Sequence, residues 1–255
     1  MEFIMLPASQ RKNTTAKLIA AVLLILLLFS LDSYGQTKNS SAGFLDFNVY
    51  PHLSDVDNDS IFTLNIAAKL PARLSYFSLI NLINQDGSGN ISDATNYYTE
   101  QNVRWQIAEN SPIDFTMQFN FRSGEDNDRH RFGLRWRLND TSFLQRAFRK
   151  INLSYAINLH AIQFDHEDAN VWQLEHVLML KFPWLSKRLY LSAFADHTFN
   201  QNLPAHLPSS PIVAEAQLGY RIIDNFYLIT EYRLNQYRTT DVNNLAVGAQ
   251  YKIIW

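Results

Sequence analysis

Hydrophobic and polar residues trade places at every second position along much of the chain. In "IDFTMQFNFR", Ile113, Phe115, Met117, Phe119 and Phe121 form one set, and Asp114, Thr116, Gln118, Asn120 and Arg122 the other. In "RFGLRWRL", Phe132, Leu134, Trp136 and Leu138 alternate with Arg131, Gly133, Arg135 and Arg137. "INLSYAINLH" repeats the pattern, and so does the final "NNLAVGAQYKIIW", where Leu245, Val247, Ala249, Tyr251, Ile253 and Trp255 share a face. A period of two predicts strands. Twelve are expected, at 44–53, 60–70, 73–84, 97–107, 113–123, 129–138, 151–164, 171–182, 188–199, 212–222, 226–238 and 244–255. Those at 73–84, 171–182 and 188–199 alternate poorly.

A half-buried sheet in water and a barrel in lipid both alternate. The first leaves its polar set in solvent; the second turns its apolar set to acyl chains and its polar set to a lumen. The start of the chain bears on this choice. Arg11, Lys12 and Lys17 precede the uncharged "LIAAVLLILLLFSL", and "DSYGQ" follows. That is the layout of a secretory signal peptide, 1–35, with the cut after Gly35. The apolar run is shorter than the roughly 20 residues a helical span needs, which disfavours an anchor. The mature part, 36–255, has no cysteine, so an exported domain would have to hold together without disulfides. These features favour an all-β fold: a transmembrane antiparallel β-barrel of about twelve strands in the cell outer membrane.

The connections fall into two classes. "PA", "AENSP", "FPWLSKR" and "IDN" are mostly short, and "NDTSFLQRAFRK" (139–150) has the spacing of a short amphipathic helix. "SDVDNDS", "QDGSGNISDATN", "GEDNDR", "DHEDAN", "NQNLPAHLPSSP" and "TTDVNN" are acidic, Asn-rich or rich in Gly and Pro. Short turns belong in the periplasm and longer loops outside. Aromatics make up 13% of the chain, as girdles at two interfaces would require. The net charge of −2 argues against nucleic acid as a partner.

Candidate chemistry lies on the polar faces, among them Lys69, Glu100, Arg104, Asp114, Arg122, Arg131, Arg135, Arg137, His160, Glu175, Glu215, Arg221, Glu231, Arg233 and Lys252. Charges so placed must be paired or wetted. They can select a solute in a pore, or they can bridge the lumen and plug it. Asp55, Asp57 and Asp59 have the first spacings of a calcium loop, but the sixth position lacks Gly and the twelfth is Ile66. No metal or other cofactor is expected. A hydrolase would draw on His160, Asp165, His166 and Glu167, or on Asp196 and His197, yet no serine falls within reach of them. Ser154 lies six residues from His160 on the same strand. His176 falls on the apparent lipid face.

With the strands laid out, the chain resembles the Tsx family of nucleoside-specific outer-membrane channels. "DNDSIFTLNIAAKLPARLSYFSLINLIN" resembles an early hairpin of that family. "YYTEQNVRWQI" resembles its E-x-x-P-R strand, with Glu100 and Arg104 kept and Val103 in place of the proline. "DANVWQLEHVLMLKFPW" resembles a later strand, and "NNLAVGAQYKIIW" the last one, running two residues past the usual ending. The resemblance spreads over nearly all of the mature chain. It implies a monomeric, non-enzymatic channel for nucleosides or similar small polar solutes, with Glu100 and Arg104 at the substrate. It also implies outer-membrane lipid, lipopolysaccharide and the barrel-assembly machinery as partners. Lumen direction alone adds Asn65, Arg122, Arg135 and Tyr237 to the candidate site. The second reading is a non-transporting barrel, structural or ligand-binding; the third is a barrel hydrolase acting on lipid.

Overall fold

A computed structural model describes residues 42–53, 59–84, 94–124, 128–164 and 170–255. The expected signal peptide and most of the acidic loop residues, Asp165, His166 and Glu167 included, lie outside them. Twelve strands form: β1 (Gly43–Leu53), β2 (Asp59–Lys69), β3 (Leu74–Asn84), β4 (Ala94–Gln106), β5 (Ile113–Arg122), β6 (Arg129–Arg137), β7 (Leu153–Phe164), β8 (Trp172–Lys181), β9 (Leu189–Phe199), β10 (Ile212–Ile223), β11 (Phe226–Asn235) and β12 (Asn243–Ile254). Each pairs antiparallel with its neighbours, and β12 pairs with β1, so the sheet is a closed barrel. Closure leaves no open edge of unpaired N–H and C=O groups. The seam is fastened by Gly43 and Trp255, which donate to each other's carbonyls at 3.0 and 3.2 Å.

The two faces are inverted relative to a soluble protein. Leu134, Leu159, Leu228 and Val247 are 40–53% exposed on the outside. Inside, Asn102, Thr116, Gln118, Asn158 and His160 show no exposed surface. Aromatic rings gather at both rims. Toward the long-loop end, Phe119, Phe121, His130, Phe132 and Phe164 form edge-to-face pairs, and Trp172 stacks on Phe199 at 3.9 Å. At the short-turn end stand Trp105, Trp136, Trp184, Tyr220, Tyr251 and Trp255, all exposed. An apolar band between two aromatic girdles is the surface a bilayer requires.

The strands expected at 73–84, 171–182 and 188–199 all form. Their alternation is weak because apolar residues also point inward. Phe77, Leu79 and Ile83 on β3, Val177 and Met179 on β8, and Phe194 on β9 line the lumen. Most strand ends shift by one to three residues from expectation, as at Ala94 and Leu153, and two differences bear on the site. β11 ends at Asn235, where the Asn235 side chain accepts from the Tyr237 N–H at 3.1 Å and turns the chain. Tyr237 is therefore a loop residue at the mouth and not a strand residue. The helix α1 (Ser142–Lys150) is shorter than 139–150, because Leu138–Asp140 forms a separate 3₁₀ turn pinned by the Arg137–Asp140 ion pair at 2.8 Å.

Of five register irregularities among the described strands, two lie opposite a glycine. Register slips by one residue in β7 opposite Gly133, and in β1 opposite Gly248. A Cβ on either glycine would fall 1.8 or 2.0 Å from the carbonyl oxygen of Leu159 or Val49. Only glycine lets the bulged strand come so close. The bulges occur at the β6–β7 and β12–β1 seams, half a turn apart in the strand order. Each brings a large ring into the lumen wall, His160 at 0% and Tyr50 at 1% exposure.

Candidate lumen site

Two hydrogen-bonded networks face one another across the barrel. The first spans β4 to β8. Arg131 donates to Gln163 and Gln118, both at 2.6 Å. Gln118 reaches Asn102 at 3.5 Å, and Asn102 donates to Glu100 at 2.7 Å. The other Glu100 oxygen accepts from the Tyr98 hydroxyl at 3.2 Å, and Tyr98 accepts from Asn120 at 2.7 Å. Nearby, Glu175 accepts from Asn158 at 2.6 Å and contacts His160 Nε2 at 3.2 Å. Asp114 is held by Arg137 at 2.9 Å.

The second network joins β9 to β12 with β1. Tyr50 donates to Glu231 at 2.7 Å, and Arg233 pairs with the same carboxylate at 2.7 Å while lying 4.4 Å from the centre of the Tyr50 ring. Gln217 donates to Glu231, Asn48 and the Tyr50 hydroxyl at 3.1–3.3 Å. Tyr190 bridges Gln217 and Gln250 at 2.8 and 2.6 Å, and Gln250 donates to Asp46 at 2.9 Å. Polar groups so enclosed need partners, and each wall supplies many of its own, although Asn120 Oδ1, Asn158 Oδ1 and His160 Nδ1 have none.

Between the walls lies a cavity of about 1110 Å³. Its lining includes Lys69, Arg137, Asn139 and Lys252 from the short-turn end and Ser123, Thr198, Tyr237 and Arg238 from the long-loop end. The space therefore extends the length of the barrel. Some of the lumen charges brace the walls, and others face open space.

All six candidate residues line this cavity, but they differ in what holds them. Glu100 is tied into the first network. Tyr237 donates to Gln201 at 2.7 Å at the mouth. Asn65, on β2, stands beside Asp46 in the register. Arg104, Arg122 and Arg135 are different again: the Nε of each is buried without a hydrogen-bond partner. Among the described residues none of the three enters an ion pair. Arg104 lies 5.8 Å from the Phe77 ring centre, and Arg122 lies 5.1 Å from that of Tyr98.

Sequence reasoning missed Phe77, Tyr98 and Tyr50. Phe77 sits in the strand whose alternation is blurred, and Tyr98 follows Tyr97, which lines the cavity as well. Tyr50 faces inward beside Glu231 only because β1 and β11 both flank β12 in the closed sheet.

The fold and its lumen define a β-barrel of the membrane type, wetted within and apolar without. No family model matches the chain, and no curated protein matches it. Solved structures do. A KdgM porin is 16% identical, with 83% of this chain and 98% of that one covered and a TM-score of 0.46. The outer membrane phospholipase A from Escherichia coli is 12% identical, over 83% and 95%, with a TM-score of 0.47. A mutant porin from Rh. blastica is 10% identical, over 84% and 99%, with a TM-score of 0.36.

Of the histidines in the hydrolase reading, His160 is buried in the lumen beside Glu175 and His197 faces outward, as does His176. His176 accepts or donates at 2.6 Å with the Tyr155 hydroxyl, and its register partners are Ile157 and Ala195. His197 packs on Phe199 at 4.0 Å, opposite Leu174 and Ile212. Neither has a serine as a cross-strand partner.

Proposed function

We propose that the chain is a passive outer-membrane channel for small polar solutes, nucleosides foremost, working as a single closed barrel in lipid and lipopolysaccharide. The observation that carries this reading is the cavity lined from one end of the barrel to the other, with aromatic–arginine pairs on its wall. Phe77 and Tyr98 offer ring faces for a base, and the neighbouring amides and hydroxyls offer partners for a ribose. A lumen sealed by its own side chains would instead leave the walls meeting at the centre.

The test is conductance of the purified protein in a planar bilayer. Stable openings that adenosine reduces in a concentration-dependent way are expected, with weaker block in Phe77→Ala and Tyr98→Ala. Folded protein that never conducts would support the non-transporting barrel.

A further inference from the structure

The lumen charges are unevenly sorted by side. Arg104, Arg122, Arg131, Arg135 and Arg137 stand on β4 to β6, all facing inward, and outnumber Glu100 and Asp114 on the same strands. On β8 to β11 the carboxylates Glu175, Asp196, Glu215 and Glu231 prevail, with Arg233 beside Glu231. Within the arginine wall a second sorting separates structural from free cations. Arg131 and Arg137 spend their donors on Gln118, Gln163, Asp114 and the Ser111 carbonyl. Arg104, Arg122 and Arg135 keep a buried Nε with neither a hydrogen bond nor an ion pair among the described residues, whereas the Arg137 Nε pairs with Asp140 at 2.8 Å.

The free three are spaced along the axis. Arg122 is near the long-loop end of β5; Arg104 pairs with Thr116 and Arg135 with Asp114 farther down the same strand. At about 3.3 Å per residue the steps from Arg122 along β5 are roughly 20 and 26 Å. Arg131, level with Gln118, stands between Arg122 and Arg104, so the cationic field runs on along the wall, focused by the low-dielectric surroundings. Guanidinium is the group best matched to paired anionic oxygens, since its fork donates two parallel hydrogen bonds. A buried donor with no partner costs free energy until an acceptor arrives, so the site favours ligands that bring one.

We propose that Arg104, Arg122 and Arg135 form a relay for solutes carrying a phosphate or carboxylate group, and that the channel prefers such anions to neutral solutes of the same size. This rests on the channel reading and narrows its substrate class. The adjacent rings, Phe77 beside Arg104 and Tyr98 beside Arg122, make an anionic solute with a flat moiety the best fit at the first two stations.

Two measurements on the full-length folded protein separate the failure of this proposal from that of the channel reading. Titration calorimetry in detergent micelles compares adenosine 5′-monophosphate with adenosine. A preference of at least tenfold for the monophosphate is expected, falling below twofold in R104Q/R122Q/R135Q. Should the triple variant not fold, as judged by the heat shift of its mobility on a gel, Arg122→Gln at the mouth is read instead, with at least a threefold loss of preference. In a bilayer under a potassium chloride gradient, the reversal potential is expected to favour chloride and to move toward potassium in the variants. Equal affinity for the two adenosine compounds, or a preference that survives the substitutions, overturns the relay. Conductance with no such preference leaves the channel reading standing alone. A preference without conductance sustains the relay as a binding site and removes transport.

Discussion

Gly133 stands opposite the bulge that carries His160, and a Cβ on this glycine would fall 1.8 Å from the carbonyl oxygen of Leu159. No side-chain rearrangement relieves that contact, because both partners are backbone. Gly133→Ala must push β6 and β7 apart or abolish the bulge. Losing the bulge would reverse the facing of one flank of β7, since its side chains alternate. His160 and Gln163 could then no longer both face the lumen. We expect a loss of about 2–4 kcal/mol, at or above the usual cost of overpacking, read from urea unfolding in micelles. An unfolding midpoint equal to wild type would mean that the bulge is not fixed by this glycine.

Tyr50 and Glu231 are 181 positions apart in sequence and bonded at 2.7 Å. Tyr50→Phe removes the donor and leaves a carboxylate that still has Arg233 and Gln217. Because those partners remain, the expected cost is moderate, about 1–2 kcal/mol. Glu231→Ala should cost more, since it strips Tyr50 and Arg233 of their shared acceptor at once. If the two substitutions cost the same in chemical unfolding, Glu231 is not the hub of this wall.

The barrel was readable in the sequence because its two environments are so different. Ile113 to Arg122 alternates cleanly, and the structure turns its odd positions to lipid and its even ones to the lumen. Reading became harder where the lumen is itself partly apolar, as at Phe77 and Leu79, since period two then loses contrast. Arg104, Arg122 and Arg135 could be placed in the lumen by direction alone. Their lack of partners could not be foreseen, because pairing depends on which strands become neighbours and at what register. The bulges left no mark on the pattern beyond two glycines, Gly133 and Gly248, in otherwise regular strands. Tyr237 reads as a strand residue because nothing in "RLNQYR" marks the turn that Asn235 makes.

Polar residues on the outside form a closed group of their own. Gln101 donates to Ser78 at 2.9 Å and to Thr99 at 2.5 Å, and it accepts from the Tyr76 hydroxyl. Ser78 and Thr99 are buried, so their hydroxyls depend on this group for partners. Gln101→Leu should therefore gain apolar contact but strand three hydroxyls. A double-mutant cycle of Gln101→Leu with Tyr76→Phe should give a coupling near 0.6 kcal/mol and no more than about 1.7. Strict additivity of the two substitutions would show that the hydrogen bond carries no weight.

Leu134 and Arg135 are adjacent in sequence and lie on opposite sides of the wall, which makes them the sharpest test of inside-out wetting. Leu134 is 48% exposed on the outer face, within the apolar band and beneath the Phe119–Phe132 rings. Leu134→Arg would carry a guanidinium into hydrocarbon, at a cost of about 2–4 kcal/mol if the site is near the midplane. Arg135→Leu places an apolar side chain in a lumen that already holds Val177 and Met179, and it removes a cation whose Nε has no partner. Its effect on stability should stay within about 1 kcal/mol. The comparison is made by refolding both variants into bilayers and titrating with guanidinium chloride. A Leu134→Arg chain as stable as Arg135→Leu would mean that the face carrying Leu134 is not in contact with lipid.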